Sequence, residues 1–233
     1  MPKKESKDAK SENDSKVESG SDKKRGWDDI EKLFDDKKAY DRFQHDHAPS
    51  LGSTSGFYHP KKNIAAIHTG NYGPQTFAIT RHESVHAMIA GLFGPIPIWA
   101  NEGLAEVFES LSVRGQNRVL QLNPHHLQTL QTQLEENTLP SLENLWSYDF
   151  KNTWYDQDKG TRYAMSWALM FYLLSEPPRR VLLTQMMQTW QEAPCKPFSS
   201  KDYVDQNWPQ GLANLEAGWH QWITKGRMSP IYF

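Results

Sequence analysis

His82 and His86 stand four residues apart, with Glu83 directly after the first, in the run Arg81-His82-Glu83-Ser84-Val85-His86. On a helix, positions i and i+4 lie one above the other on one face, so the two imidazoles can grip a single ion. Each imidazole offers a Zn–N bond of about 2.0–2.1 Å. Glu83 is placed to reach water on that ion. This is the His-Glu-x-x-His arrangement, in which the Glu serves as general base. The run continues into Ala87, Met88, Ile89, Ala90, Leu92 and Phe93, which predicts a largely buried helix over 75–93, stopped by Gly94, Pro95 and Pro97. Histidines buried there need partners.

Beyond the Gly/Pro turn comes Pro97-Ile98-Trp99-Ala100-Asn101-Glu102-Gly103-Leu104-Ala105-Glu106. The turn can fold a second helix, from near Asn101 through Leu111, against the first, and Glu102 is then the natural third ligand. Glu106 lies four residues further on the same face, suited to accept a hydrogen bond from the far nitrogen of a ligand histidine. Cys195 is the only cysteine, so no internal disulfide is possible and any metal site must use His and carboxylates. Three protein ligands leave a fourth position open for water, which marks a catalytic rather than a closed structural site.

His82 to His86, taken with Trp99 to Glu106, resembles the gluzincin metallopeptidases. In that group the two motif histidines and the Glu of an Asn-Glu-Gly or Asn-Glu-Ala segment bind zinc. More narrowly, the chain is similar to bacterial peptidase-MA-like families of uncharacterised function, through Gly56-Phe57-Tyr58, the Tyr163-to-Leu169 segment and the closing Leu215-Glu216-Ala217-Gly218-Trp219. The likeness covers most of residues 56 to 223, and its specific part is the two zinc motifs. It implies a zincin-like fold and a Tyr at position 163 as a further donor to the developing oxyanion, with Tyr155 next in line. Two departures stand out. Fifteen residues (87–101) separate His86 from Glu102, fewer than in gluzincin aminopeptidases and thermolysin-like enzymes, and no Gly-x-Met-Glu-Asn segment occurs, which argues against an aminopeptidase.

The rest of the chain sets the frame. Residues 1–25 hold three apolar residues (Met1, Ala9, Val17) against eight Lys/Arg and six Asp/Glu, so 1–26 is expected to be a disordered polar tail or linker before a single domain over 27–233. Trp27, Ile30, Leu33, Phe34 and Tyr40 recur at helical spacing and predict a first helix from about Asp28 into the low forties. Residues 56–68 read as a hairpin whose second strand is Ile64 to Ile67, followed by a turn at 71–74. A short strand is expected at 118–122. Helices are expected at 123–136, 141–147, 161–174, 178–191 and 212–225, that at 163–174 being apolar nearly all round and hence central. The predicted class is α+β, mainly helical, with a small sheet before the active-site helix and a helical C-terminal part.

Several function classes drop out. A net charge of −2 gives no footprint for nucleic acid. No apolar run reaches the roughly 18–20 residues that span a bilayer. No signal peptide is visible, so the compartment is left as cytoplasmic, or exported if the start has been trimmed. His45, His47, His59, His68, His125 and His126 are set aside as metal ligands, the last two because adjacent residues do not share one helical face. The expected activity is zinc-dependent cleavage of a peptide or protein substrate, with His82, His86 and Glu102 on the metal, Glu83 as base and Tyr163 as oxyanion donor. The alternative is a catalytically silent zinc-binding module used for protein recognition. Ile64, Ala65 and Ala66, read as an edge strand, are the expected backbone partners of an extended peptide. Oligomeric state is not legible.

Overall fold

The computed structural model describes residues 31–51, 54–70, 73–149, 154–155, 158–194, 196–226 and 229–233. The expected N-terminal tail therefore lies outside the described residues, as do Asn71 and Tyr72 of the expected turn. The described chain is mainly helical with two small sheets. None of its helices is long and apolar enough to cross a membrane.

The front of the molecule departs from the helical expectation. Glu31–Phe34 is a strand (β1), and helix α1 begins only at Lys37, running to His47. Asp36 explains the break, because its side chain accepts a hydrogen bond from Lys38 N and caps the helix there. The aromatic spacing is satisfied by folding back: the Phe34 ring lies 5.9 Å from Tyr40 and 5.1 Å from Phe43. The hairpin is as expected, with β2 at Gly56–His59 antiparallel to β3 at Ile64–His68.

The order in this sheet is β1-β3-β2. That corrects the reading of Ile64, Ala65 and Ala66 as an edge. Glu31 to Phe34 pair in parallel with Ala65 to His68, so β3 is hydrogen-bonded on both sides, and Ala65 and Ala66 are completely buried. At Ala65 and Ala66 no backbone edge is left for a peptide.

Helix α2 (Pro74–Leu92) opens with Pro at its first turn, and α3 (Ile98–Glu109) follows the Gly94 turn, whose φ of +71° suits glycine. α2 packs on α3, β2 and β3. It is less buried than expected: among the described residues it buries Glu83, Ala87 and Ile89, while Phe77, Met88 and Leu92 are exposed. The sheet and α3 both cover the same side of α2 as Glu83, leaving its other side to solvent.

After α3 a second small sheet forms from β4 (Leu111–Arg114), β5 (Asn117–Leu120) and β6 (Ile231–Tyr232). Helix α4 (Pro124–Glu135) starts at an Asn123 cap that accepts from His126 N. There follow α5 (Leu142–Ser147), α6 (Lys159–Ser175), α7 (Pro177–Glu192), α8 (Ser200–Asn207) and α9 (Gly211–Lys225), of which only α8 is without a counterpart in the sequence reading. α6 is the central helix anticipated from its apolar surface. Met165, Trp167, Leu169 and Met170 have no exposed area, and the helix packs against α3, α4, α5, α7 and α9.

The α3–α6 contact depends on Gly103. A Cβ there would stand 2.6 Å from Ser166 O and 3.1 Å from Met170 Cβ. Gly103→Ala is therefore expected to cost about 1–3 kcal/mol. At about 2–4 °C per kcal/mol, the loss is readable as a lower Tm. Gly91→Ala on α2 meets nothing within 4 Å and should instead stabilise by up to about 1 kcal/mol through helix propensity. Equal melting temperatures for the two variants would contradict this picture.

Candidate metal centre

The α2 and α3 helices bring the two motifs together. His82 Nε2 and His86 Nε2 each lie 3.6 Å from Glu102 Oε2. Ligand atoms bound tetrahedrally at about 2.0–2.1 Å from zinc stand roughly 3.3 Å apart, so little movement is needed to close on an ion. Glu102 is 3% exposed, and its Oε2 is buried without a hydrogen-bond partner in the structure. A buried carboxylate oxygen facing two imidazole nitrogens is a donor set for a divalent cation. The residues fit the ion they were expected to hold.

The far nitrogens show how the rings are oriented. His86 Nδ1 is 2.9 Å from Asn101 Oδ1, an acceptor that orients the ring with Nε2 towards Glu102. His82 Nδ1 lies 3.4 Å from Glu109 Oε2 and 3.9 Å from Glu106 Oε1. The expectation that Glu106 serves a ligand histidine is corrected in detail: Glu109 is the nearer acceptor, and Glu106 instead meets His126 Nε2 at 2.9 Å. Arg81 draws this end of α3 onto α2 by donating from Nε and Nη2 to the Glu109 carbonyl oxygen, at 3.0 and 2.6 Å.

These groups open into a cleft of about 550 Å³ lined by Gly56, Ile79, His82, Glu83, Glu106, Glu109, His126, Lys159 and Tyr163, among others. Gly56 allows β2 to approach α2, since a Cβ there would be 2.6 Å from Ile79 Cγ2 and 3.1 Å from Glu83 Cγ. Tyr163, on the first turns of α6, lines this cleft and acts on the Glu102 carboxyl, lowering its pKa, and Tyr155 neighbours Tyr163. Both tyrosines named from the sequence are therefore at the site. A second cavity, of about 450 Å³, is lined by Trp99, Trp146, Trp190 and Phe198 and holds none of the motif residues.

The two central carboxyls titrate in opposite directions. Burial raises the Glu83 pKa, opposed by His82 and His86 and reinforced by Glu102 and Glu109. Burial would raise Glu102 as well, but His86, His82 and Tyr163 outweigh it and hold that carboxyl below the ordinary value. Burial alone would lower the His82 pKa, yet Glu102, Glu109 and Glu83 keep it well above the usual imidazole value. Burial also drives the Tyr163 hydroxyl upward, so it stays protonated and able to donate.

His126 and Glu109 both line the cleft, although the sequence reading sets His126 aside and does not name Glu109. Glu109 had a signal, because Glu102, Glu106 and Glu109 fall on one helical stripe at spacings of four and three. His126 had none, since only the approach of α4 to α3 brings it in. Ile64, Ala65 and Ala66 are not among the lining residues.

Fold and site together define a mainly helical domain with a buried His-His-Glu cluster and a further buried carboxyl, Glu83, beside it. The chain belongs to the family described as "Protein of unknown function (DUF1570)", which matches residues 76–196. That span contains all three donors, Glu83, His126 and Tyr163. No curated protein and no solved structure matches the chain.

The raised Glu83 pKa has a consequence for the metal-free protein. A raised folded-state pKa means that folding disfavours the ionised form, a penalty that is absent below the ordinary carboxyl range and present above it, at neutral pH included. Glu83→Gln removes the charge, so the metal-free variant is expected to melt higher than the metal-free wild type at pH 7. The difference should shrink as pH falls through the raised pKa. A variant that melts lower at pH 7 would show the carboxylate to be stabilising.

Proposed function

We propose that this protein is a zinc-dependent hydrolase that cleaves peptide bonds, with a zincin-like, gluzincin-type architecture. One observation carries the reading: a buried, otherwise unpartnered Glu102 oxygen faces the Nε2 atoms of both motif histidines at 3.6 Å. His82, His86 and Glu102 would hold the ion. When bound, zinc supplies Lewis acidity, lowering the pKa of water to about 7 and polarising a carbonyl.

The chain's own residues supply the rest. Glu83, whose pKa is raised by burial, takes a proton from water and returns it to the leaving amine. Tyr163, held protonated, donates to the developing oxyanion. Asn101 and Glu109 orient the ligand rings through their Nδ1 atoms. Among the described residues β2 is an edge strand of this sheet, and its first residue, Gly56, lines the cleft. An extended substrate could pair there.

Expected outcomes separate the roles. His82→Ala and Glu102→Ala lose both zinc, by metal analysis, and cleavage of a peptide library. Glu83→Gln retains zinc and loses at least about 100-fold in kcat. Tyr163→Phe retains zinc and loses about 10–1000-fold in kcat with little change in KM. Undiminished turnover in Glu83→Gln would refute the base assignment. Full zinc occupancy with no cleavage by the wild type of any peptide offered would favour the silent zinc-binding module.

A further inference from the structure

Charged side chains of both signs line the cleft, and all but one have a role in the chemistry or a partner in the protein. Glu83 is the base of the mechanism above. Glu106 meets His126 Nε2 at 2.9 Å, and Glu109 lies 3.4 Å from His82 Nδ1. Lys159 is the exception. No other lysine or arginine is among the described residues that line the cleft, and among those residues its ammonium group has neither an ion pair nor a hydrogen bond.

Its position relative to Tyr163 gives this cation a meaning. Lys159 is the first residue of α6 and Tyr163 follows four residues later, so the two share one face of that helix, and both line the cleft. They are separated by about 6 Å along the helix axis. An extended peptide advances about 3.3 Å per residue, so that distance corresponds to about two residues of a bound chain. The space beside Lys159 is open: Lys159 and Gly160 are exposed, and a Cβ on Gly160 would meet nothing within 4 Å. A cation in a cleft wall without a counter-charge of its own favours a ligand that brings one.

We propose that Lys159 sets the substrate preference of the cleft, selecting peptides that carry a carboxylate within about two residues of the cleaved bond, an assignment that rests on the peptidase reading above. The carboxylate belongs to an Asp or Glu side chain or to the C-terminus of the peptide, and the shared chemistry is an anion held by an ammonium group. The contact forms away from the reacting atoms, so it holds ground state and transition state alike and acts on KM rather than kcat. Lys159 is therefore a specificity residue and not a catalytic one. Because it is exposed, the preference is modest, about 2–5-fold, and weakens as salt is added.

The test measures binding as well as turnover. The probes are end-blocked alanine peptides with Glu placed at each position in turn, and the same alanine peptide with a free C-terminal carboxylate. They are titrated by calorimetry, at low salt and with zinc present, into full-length Glu83→Gln, and assayed for cleavage with the wild type. The best-placed carboxylate is expected to tighten binding about 2–5-fold over the neutral peptide and to lower KM in proportion. Whichever peptide shows the gain tells side chain from C-terminus. Lys159→Gln, combined with Glu83→Gln, abolishes the gain, and Lys159→Glu reverses it in favour of a Lys-containing peptide. No gain for any carboxylate, or a gain that survives Lys159→Gln, would overturn the proposal. The two readings fail separately. Cleavage without a carboxylate preference removes the role of Lys159 alone. A Lys159-dependent preference in binding, with no cleavage of any peptide, removes the peptidase reading and leaves Lys159 as an anion-binding residue. Absence of both binding and cleavage removes both.

Discussion

A carboxylate buried to 3% exposure is the constraint around which this domain is arranged. An ionised Glu102 without counter-groups would be expensive to bury, and the two imidazoles of α2 are what make it tolerable. Holding them opposite each other requires α3 to lie close on α2 on one side and on α6 on the other. Gly103, next to Glu102, gives the second contact its closeness, and Arg81 binding the Glu109 carbonyl fixes the first. The fold is thus most tightly specified where its most costly polar group sits.

Within the cleft, environment assigns different properties to identical side chains. Glu83 and Glu102 are both deeply buried, yet one is raised and the other lowered. The difference is orientation. Glu102 faces both Nε2 atoms and the Tyr163 hydroxyl, whereas Glu83 lies against Gly56 and Ile79 at the mouth of β2. A carboxyl that stays ionised suits an ion; one poised nearer neutrality suits a proton. Paired carboxyls pushed apart in this way are a recurrent arrangement at hydrolytic sites.

At the front of the chain the sequence misleads for a definite reason. Leu33, Phe34 and Tyr40 do repeat at helical spacing, but Asp36 caps a helix that starts after them, and the backbone of residues 31–34 pairs with β3 instead. A four-residue strand carries too few positions for its period of two to outweigh a helical reading. Once β1 was missed, β3 looked like an edge, and the peptide-pairing role of Ile64, Ala65 and Ala66 went with it. The bias towards burial along α2 failed similarly, because its apolar Met88 and Leu92 lie on the side that nothing in the described chain covers.

Local pattern alone determined the long helices, the Gly/Pro turn between α2 and α3, and the identity of His82, Glu83, His86 and Glu102 as the residues to watch, while Tyr163 came from the family resemblance. Spacing along a helix fixes which side chains share a face, and capping residues fix where a helix begins, so both are written in consecutive residues. Only the tertiary structure decided that β3 is central, that Glu109 rather than Glu106 stands nearest His82, and that His126 enters the cleft. Each of those depends on how far one element approaches another across long separations in sequence. That distance is set by side-chain volume and backbone pairing at the contact, and no periodicity within either element records it.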